Sequence, residues 1–165
     1  MELLLLRHGK AEESNIEGDF MRVLLEKGRI QAQRAAKLLT MTGGLPEIVL
    51  SSPLIRARQT ADAFCDEAGM PGAMIQGWLA CGMVPETAIT ELSAFRDFQR
   101  VMIVGHEPDF SMLVEWILGS SGGAVEFKKG ALACLSVSPP ARQGTLRYLI
   151  PSKHGGKMND EEWRR

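Results

Sequence analysis

Three short stretches of this 165-residue chain combine residue types that could handle a phosphoryl group. The first is Arg7-His8-Gly9, directly after the apolar run Leu3 to Leu6. A neutral imidazole is a competent nucleophile near neutral pH. An arginine beside it offers planar, permanently charged donors that match phosphoryl oxygens two at a time. Gly9 lets backbone and substrate approach closely. Alone, Arg-His-Gly is a weak signal, since a given tripeptide turns up in roughly one chain in fifty of this length. The second stretch is Ser51-Ser52-Pro53-Leu54-Ile55-Arg56-Ala57-Arg58-Gln59-Thr60. Arg56 falls near the start of a predicted helix, where free N–H groups and the dipole favour an anion. Arg58, two residues on, faces elsewhere and reads as a surface residue. The third is Val104-Gly105-His106-Glu107-Pro108, a second histidine after an apolar run.

The elements that must position these residues follow from periodicity. Leu3 to Leu6 is too short for a helix and reads as a strand buried on both faces. Ala32, Ala35, Ala36 and Leu39 mark one face of a helix over Ile30 to Leu39. Ile48-Val49-Leu50 is a second strand. Ser52 as N-cap with Pro53 at the first helical position predicts a helix carrying Ala57, Ala61, Phe64, Cys65 and Ala68 on one face. Gly69 ends it. Met74-Ile75 reads as an edge strand, Pro85 to Phe98 as a helix, and Val101 to Val104 as the clearest strand. A helix opening near Pro108-Asp109 carries Phe110, Leu113, Val114 and Ile117. Strands are predicted at 125–127, 131–137 and 145–150. The alternation predicts an α/β fold of three layers, a mostly parallel sheet with helices on both faces. Ligands bind such sheets at the carboxyl ends of the strands, where His8, Ser52 and His106 stand.

Taken together, the three stretches, in this order and spacing, resemble the histidine phosphatase superfamily. The resemblance runs from about Leu3 to Ile150. The short length, and an Asp19-x-x-Arg22…Gly28 run, are similar to its SixA-type phosphohistidine phosphatase branch. The resemblance implies a phosphoglycerate mutase-like fold that needs neither cofactor nor metal. It implies His8 as the nucleophile that is transiently phosphorylated. Arg7, His8, Arg56 and His106 would hold the phosphoryl group, and His106 would also act in catalysis by stabilising the transition state. Phosphoryl transfer needs an in-line nucleophile and charge stabilisation at the equatorial oxygens, and little more.

The chain departs from the family pattern in two places. Larger members carry a Glu or Asp general acid between the Arg56 helix and the second histidine; here Trp78 to Thr87 offers only Glu86, which reads as a first-turn helix residue. Glu107 and Asp109 flank His106, and Asp109 reads as a helix cap. An alkoxide leaving group needs a proton in the transition state, whereas a phosphorylated imidazole has a better leaving group. The gap favours phosphohistidine on a partner protein as substrate. A small phosphoester substrate and a non-catalytic module that docks a phosphorylated partner stay open. The second departure is Arg22-Val23-Leu24-Leu25, where the family has Arg-Pro-Leu-Thr, and Arg22 is not counted among the site residues.

Composition bounds the rest. Length fits one domain over residues 1–151, with a polar, frayed tail over 152–165 that holds His154 and Trp163. The formal net charge of −1 gives no whole-chain nucleic-acid footprint. The N-terminal apolar run is too short for a signal sequence or a membrane span, so a cytoplasmic protein is expected. Cys65, Cys81 and Cys134 form no CxxC pair and read as reduced thiols. A monomer is the default.

Overall fold

The computed structural model describes residues 1–155. Six strands form one sheet: β1 (Glu2–Arg7), β2 (Ile48–Ser51), β3 (Met74–Ile75), β4 (Arg100–Gly105), β5 (Leu132–Val137) and β6 (Gly144–Ile150). Their order is β3-β2-β4-β1-β5-β6. The first four run parallel, β5 pairs antiparallel to β1, and β6 pairs antiparallel to β5, so only β5 runs against the rest. The leucine run of β1 is explained by burial on both faces. Leu3 and Leu5 pack into one apolar cluster, and Leu4 and Leu6 into another. Each fully buried leucine contributes about 1.5–3 kcal/mol.

The helices α1 (Glu26–Met41) and α2 (Ile55–Ala68) cover one face through Ala32, Ala36, Leu39, Ala57, Ala61 and Phe64. The helices α3 (Pro85–Leu92) and α4 (Asp109–Leu118) cover the other through Ala88, Ile89, Leu92, Phe110 and Leu113. The result is the three-layer α/β arrangement read from the sequence. Among the described residues no helix is long and apolar enough to cross a membrane.

Several boundaries differ from the sequence reading. The helix predicted at Ile30 starts at Glu26, with Leu25 as an N-cap that offers no side-chain bond. Leu25 is instead held through its backbone, its N–H donating to Lys10 O at 2.9 Å and its carbonyl accepting Gly28 N–H at 2.8 Å. Ser52-Pro53 does not open α2; Leu54 is its N-cap. The helix predicted over Pro85 to Phe98 stops at Leu92 and tightens into a 3-10 turn over Ser93–Phe95. Residues 125–127 form no strand. Glu115 Oε1 accepts the N–H groups of Ala124 and Val125 at 2.8 and 2.9 Å, and Phe127 turns its ring into the core against Phe110. Of the predicted polar tail, Ser152–Gly155 form a 3-10 turn, while residues 156–165, with Trp163, lie outside the described residues.

Candidate active site

The sheet order places β4 between β1 and β2, so the carboxyl ends of three strands lie side by side. Two backbone bonds carry this pairing past the strand ends. His8 N–H donates to Gly105 O at 3.0 Å, and Ser52 N–H to Val104 O at 3.0 Å. His8, Ser52 and His106 are thereby fixed within one crevice. The rings of His8 and His106 lie 5.3 Å apart between centroids. Both are buried, at 5% and 2% exposure, and Arg56 is buried beside them at 4%.

The protonation state of each ring follows from its partners. His8 Nδ1 lies 2.8 Å from Gly9 O, an acceptor, so Nδ1 carries the hydrogen and Nε2 keeps its lone pair. Burial, foremost, pushes the His8 pKa down to about 4, with the positive fields of Arg56, Arg7 and Lys129 adding to it and the Gly9 bond opposing it. His106 Nε2 lies 2.7 Å from Ser52 Oγ, which already accepts the Leu54 N–H at 3.2 Å. Where the Ser52 hydroxyl donates to Nε2, the neutral His106 ring carries its hydrogen on Nδ1. Burial again leads in pushing His106 down to about 3, followed by the fields of His8 and Arg56.

The arginines are held from the side that leaves donors free. Arg7 Nη1 donates to Phe127 O at 2.7 Å. Arg56 Nη1 donates to Asp19 O at 2.8 Å and Nη2 to Asp19 Oδ2 at 3.0 Å. Asp19 is itself fixed by Arg22 Nη1 at 2.7 Å, and Arg22 Nε donates to Glu12 O. The Arg22 bond first, and Arg56 as well, holds the Asp19 carboxyl below its usual range although that side chain is largely exposed. The exposed Cys81 places its Sγ 3.5 Å from Arg56 Nη2. Among the described residues, four buried side-chain polar atoms have no partner, and three of them are Arg7 Nε, Arg56 Nε and His106 Nδ1. Buried donors without partners are rare and costly, so three on neighbouring residues mark a place suited to an anion.

The carboxylates near the crevice are engaged as acceptors. Both Glu107 oxygens serve Ser111, Oε1 taking its N–H and Oε2 its hydroxyl, each at 2.8 Å. This is the side chain that caps α4; Asp109, read as the cap, instead accepts Gly82 N–H at 3.0 Å and ties down the 82–83 loop. Burial raises the Asp109 carboxyl, and its bonds from Met83 and Gly82 oppose that rise. Glu86 is exposed in the first turn of α3.

The sequence reading passed over several residues that build this crevice. Ser52 orients His106 rather than capping a helix. Thr60 Oγ1 accepts Gly9 N–H at 3.1 Å and donates to Arg56 O at 2.7 Å, joining the His8 turn to the first turns of α2. Gln59 Oε1 accepts Leu24 N–H at 2.7 Å. The signal was the Arg-Ala-x-Gln-Thr spelling itself, which places Thr60 one turn after Arg56. Arg58 is exposed.

Comparison with known proteins agrees with this architecture. Residues 3–78 match the family described as histidine phosphatase superfamily (branch 1). An uncharacterized protein of Picosynechococcus sp. is 32% identical over 136 residues, spanning 80% of this chain and 82% of that protein. The tungstate complex of the protein histidine phosphatase SixA superposes with a TM-score of 0.84 at 23% identity, covering 93% of this chain and 99% of that one. A protein from Agrobacterium tumefaciens assigned as phosphohistidine phosphatase SixA gives 0.78 at 27% identity, covering 91% and 97%. The α-ribazole phosphatase of Shigella flexneri gives 0.74 at 20% identity, covering 92% and 97%. The chain belongs to the histidine phosphatase superfamily.

Proposed function

We propose that the protein is a phosphatase that uses His8 as nucleophile and acts on phosphohistidine carried by a partner protein. The observation that carries the reading is the His8 geometry: Nδ1 is bound to Gly9 O, leaving Nε2 as a lone pair beside Arg7, Arg56 and His106. Nε2 attacks phosphorus as the P–N bond to the substrate imidazole breaks. A substrate ring protonated on its other nitrogen departs as neutral imidazole, so the protein donates no proton. Arg7, Arg56 and His106 Nδ1–H supply donors to the equatorial oxygens. Water then attacks phospho-His8, releasing phosphate and restoring the neutral ring. The carboxylate inventory supports this substrate class, because both Glu107 oxygens are turned into the cap of α4.

The test is trapping. The protein is mixed with a labelled phosphohistidine-bearing domain and quenched within milliseconds to seconds. Acid-labile, base-stable label on His8, absent from His8→Ala, is the expected result. No label and no phosphate release from any donor would overturn the reading in favour of a docking module.

One observation favours a second reading, a small phosphoester substrate: burial raises the carboxyl of Asp109, a 5% exposed residue three positions after His106. That direction is the one a general acid for an alkoxide leaving group needs. In that case Asp109→Asn cuts turnover of an alkyl phosphate far more than that of p-nitrophenyl phosphate, whose leaving group needs no proton. Equal effects on both would exclude it.

A further inference from the structure

A second basic site adjoins the crevice. A cleft of about 360 Å³ opens on the far side of Arg7, between the first turns of α1, the 128–130 turn and the end of β6. Seven cations line it, out of 19 Lys and Arg in a chain of net charge −1. Arg7 forms its boundary with the His8 crevice; Lys10, Lys27, Arg34, Lys129 and Lys153 stand around it. The only carboxylates paired with lining cations, among the described residues, are Glu13 at 4.0 Å from Lys10 and Glu126 at 3.2 Å from Lys128, both largely exposed at the rim.

The cleft is built rather than incidental. Gln31, on α1, accepts Lys10 N–H through Oε1 at 2.8 Å and donates through Nε2 to Lys129 O at 3.2 Å. One side chain thereby fixes the two cation-bearing loops to the helix. Gly130, with φ of 71°, packs its α-carbon against the Gln31 stem, where any added Cβ would stand 2.7 Å from Gln31 Cβ. Ser152 Oγ, the fourth buried polar atom without a partner among the described residues, belongs to a lining residue. Burial first, and then the positive fields of Lys10, Arg7 and Arg22, lower the Lys129 pKa, with Glu13 opposing. Confining like charges within a concave wall costs free energy that an anion would return. A flat acidic protein surface would reach only the rim of such a concavity, whereas a compact polyanion fits within it.

We propose that this cleft is an accessory binding site for a compact polyanion of the di- or triphosphate class, separate from the His8 crevice and sharing Arg7 as its wall. The proposal concerns binding and does not depend on which phosphoryl donor is turned over. Such a site would hold either a second phosphorylated group of a substrate or a free polyphosphate effector.

Tripolyphosphate is the probe, titrated calorimetrically at 50 mM salt into three forms of the full chain: wild type, Lys27→Glu/Lys153→Glu, and Arg56→Ala. Lys27 and Lys153 are exposed and take no part in the crevice. Each substitution removes one charge-assisted contact and adds a charge that repels the anion, so the double variant should weaken binding by about 100-fold. Arg56→Ala should leave the affinity within about threefold. Weak binding that Arg56→Ala abolishes and the double variant retains would show that anions enter only the His8 crevice, and would overturn the proposal. So would an absence of binding to wild type at millimolar tripolyphosphate. Whether bound tripolyphosphate inhibits or activates phosphate release then separates a substrate subsite from an effector site.

Discussion

Acidification from pH 8 to pH 5 should remove about 4 kcal/mol of folding stability, and two histidines account for it. His8 and His106 are 5% and 2% exposed, and their pKa values are lowered from 6.5 to about 4 and about 3. Unfolding returns both rings to water and to the ordinary value. Because the folded pKa is the lower one, the unfolded chain binds protons first. The stabilisation is therefore complete above pH 6.5 and is lost as the pH falls below it. At pH 5 an unfolded imidazole is about 97% protonated while the folded rings stay about 90% neutral or more, which gives about 2 kcal/mol per histidine. This figure is set by the unfolded pKa and barely changes with how the depression is divided between the rings. Against a typical total of about 5–15 kcal/mol the loss is large. Asp19 and Glu12, lowered from 3.8 and 4.5, weaken the fold only below those values, and the raised Asp109 carboxyl strengthens the fold as the pH falls, so the loss above pH 5 comes from the histidines. The assay is urea unfolding at pH 8, 7, 6 and 5, followed by circular dichroism with the m-value checked for constancy. His106→Asn should remove about half of the slope. A stability that changes by less than 1 kcal/mol across the window, or a slope untouched by the variant, would refute the reasoning.

Two further outcomes follow from the geometry. Arg56→Ala, which removes a buried donor from the crevice, should lower turnover by about 10²–10³-fold, with Asp19→Asn giving a smaller loss because it only loosens that arginine; steady-state kinetics on one phosphoryl donor checks the ranking, and a larger loss in Asp19→Asn would contradict it. Gly28→Ala should destabilise by about 1–3 kcal/mol or more, since a Cβ on Gly28 would run into the Lys10 carbonyl oxygen and stand 2.5 Å from Leu24 Cδ1 and 2.8 Å from Lys10 N; thermal unfolding reads this directly, and an unchanged Tm would show that the turn can move.

Local chemistry was legible in the sequence wherever the partner was near or the pattern periodic. The run Leu3 to Leu6 announced a strand buried on both faces, and each leucine duly enters one of two clusters. Residues whose partners lie far along the chain were not legible. Ser52 spells a helix start, yet its hydroxyl serves His106, 54 residues away. Asp19 spells a turn, yet its carboxylate holds Arg56, 37 residues away. Residues 125–127 have the composition of a strand, but the Phe127 carbonyl is taken by Arg7 and the neighbouring N–H groups by Glu115. Leu25 stands where the family has Thr, and it is held through its backbone, its N–H donating to Lys10 O, while Arg22 is paired with Asp19.

The proposed mechanism makes two demands on the crevice that usually conflict. A nucleophilic imidazole must be unprotonated, and a phosphoryl dianion must be attracted. Neutral surroundings would meet the first and carboxylates near the rings would defeat both, since they raise imidazole pKa and repel the anion. Arg7 and Arg56 satisfy the two together, because the same positive field that adds to burial in keeping His8 and His106 neutral also favours the incoming charge. The placement of acids follows the same logic. Glu107 is turned into the α4 cap and Asp109 into the 82–83 loop. Asp19, the carboxylate in direct contact with Arg56, is kept largely in water, where its field is weakest.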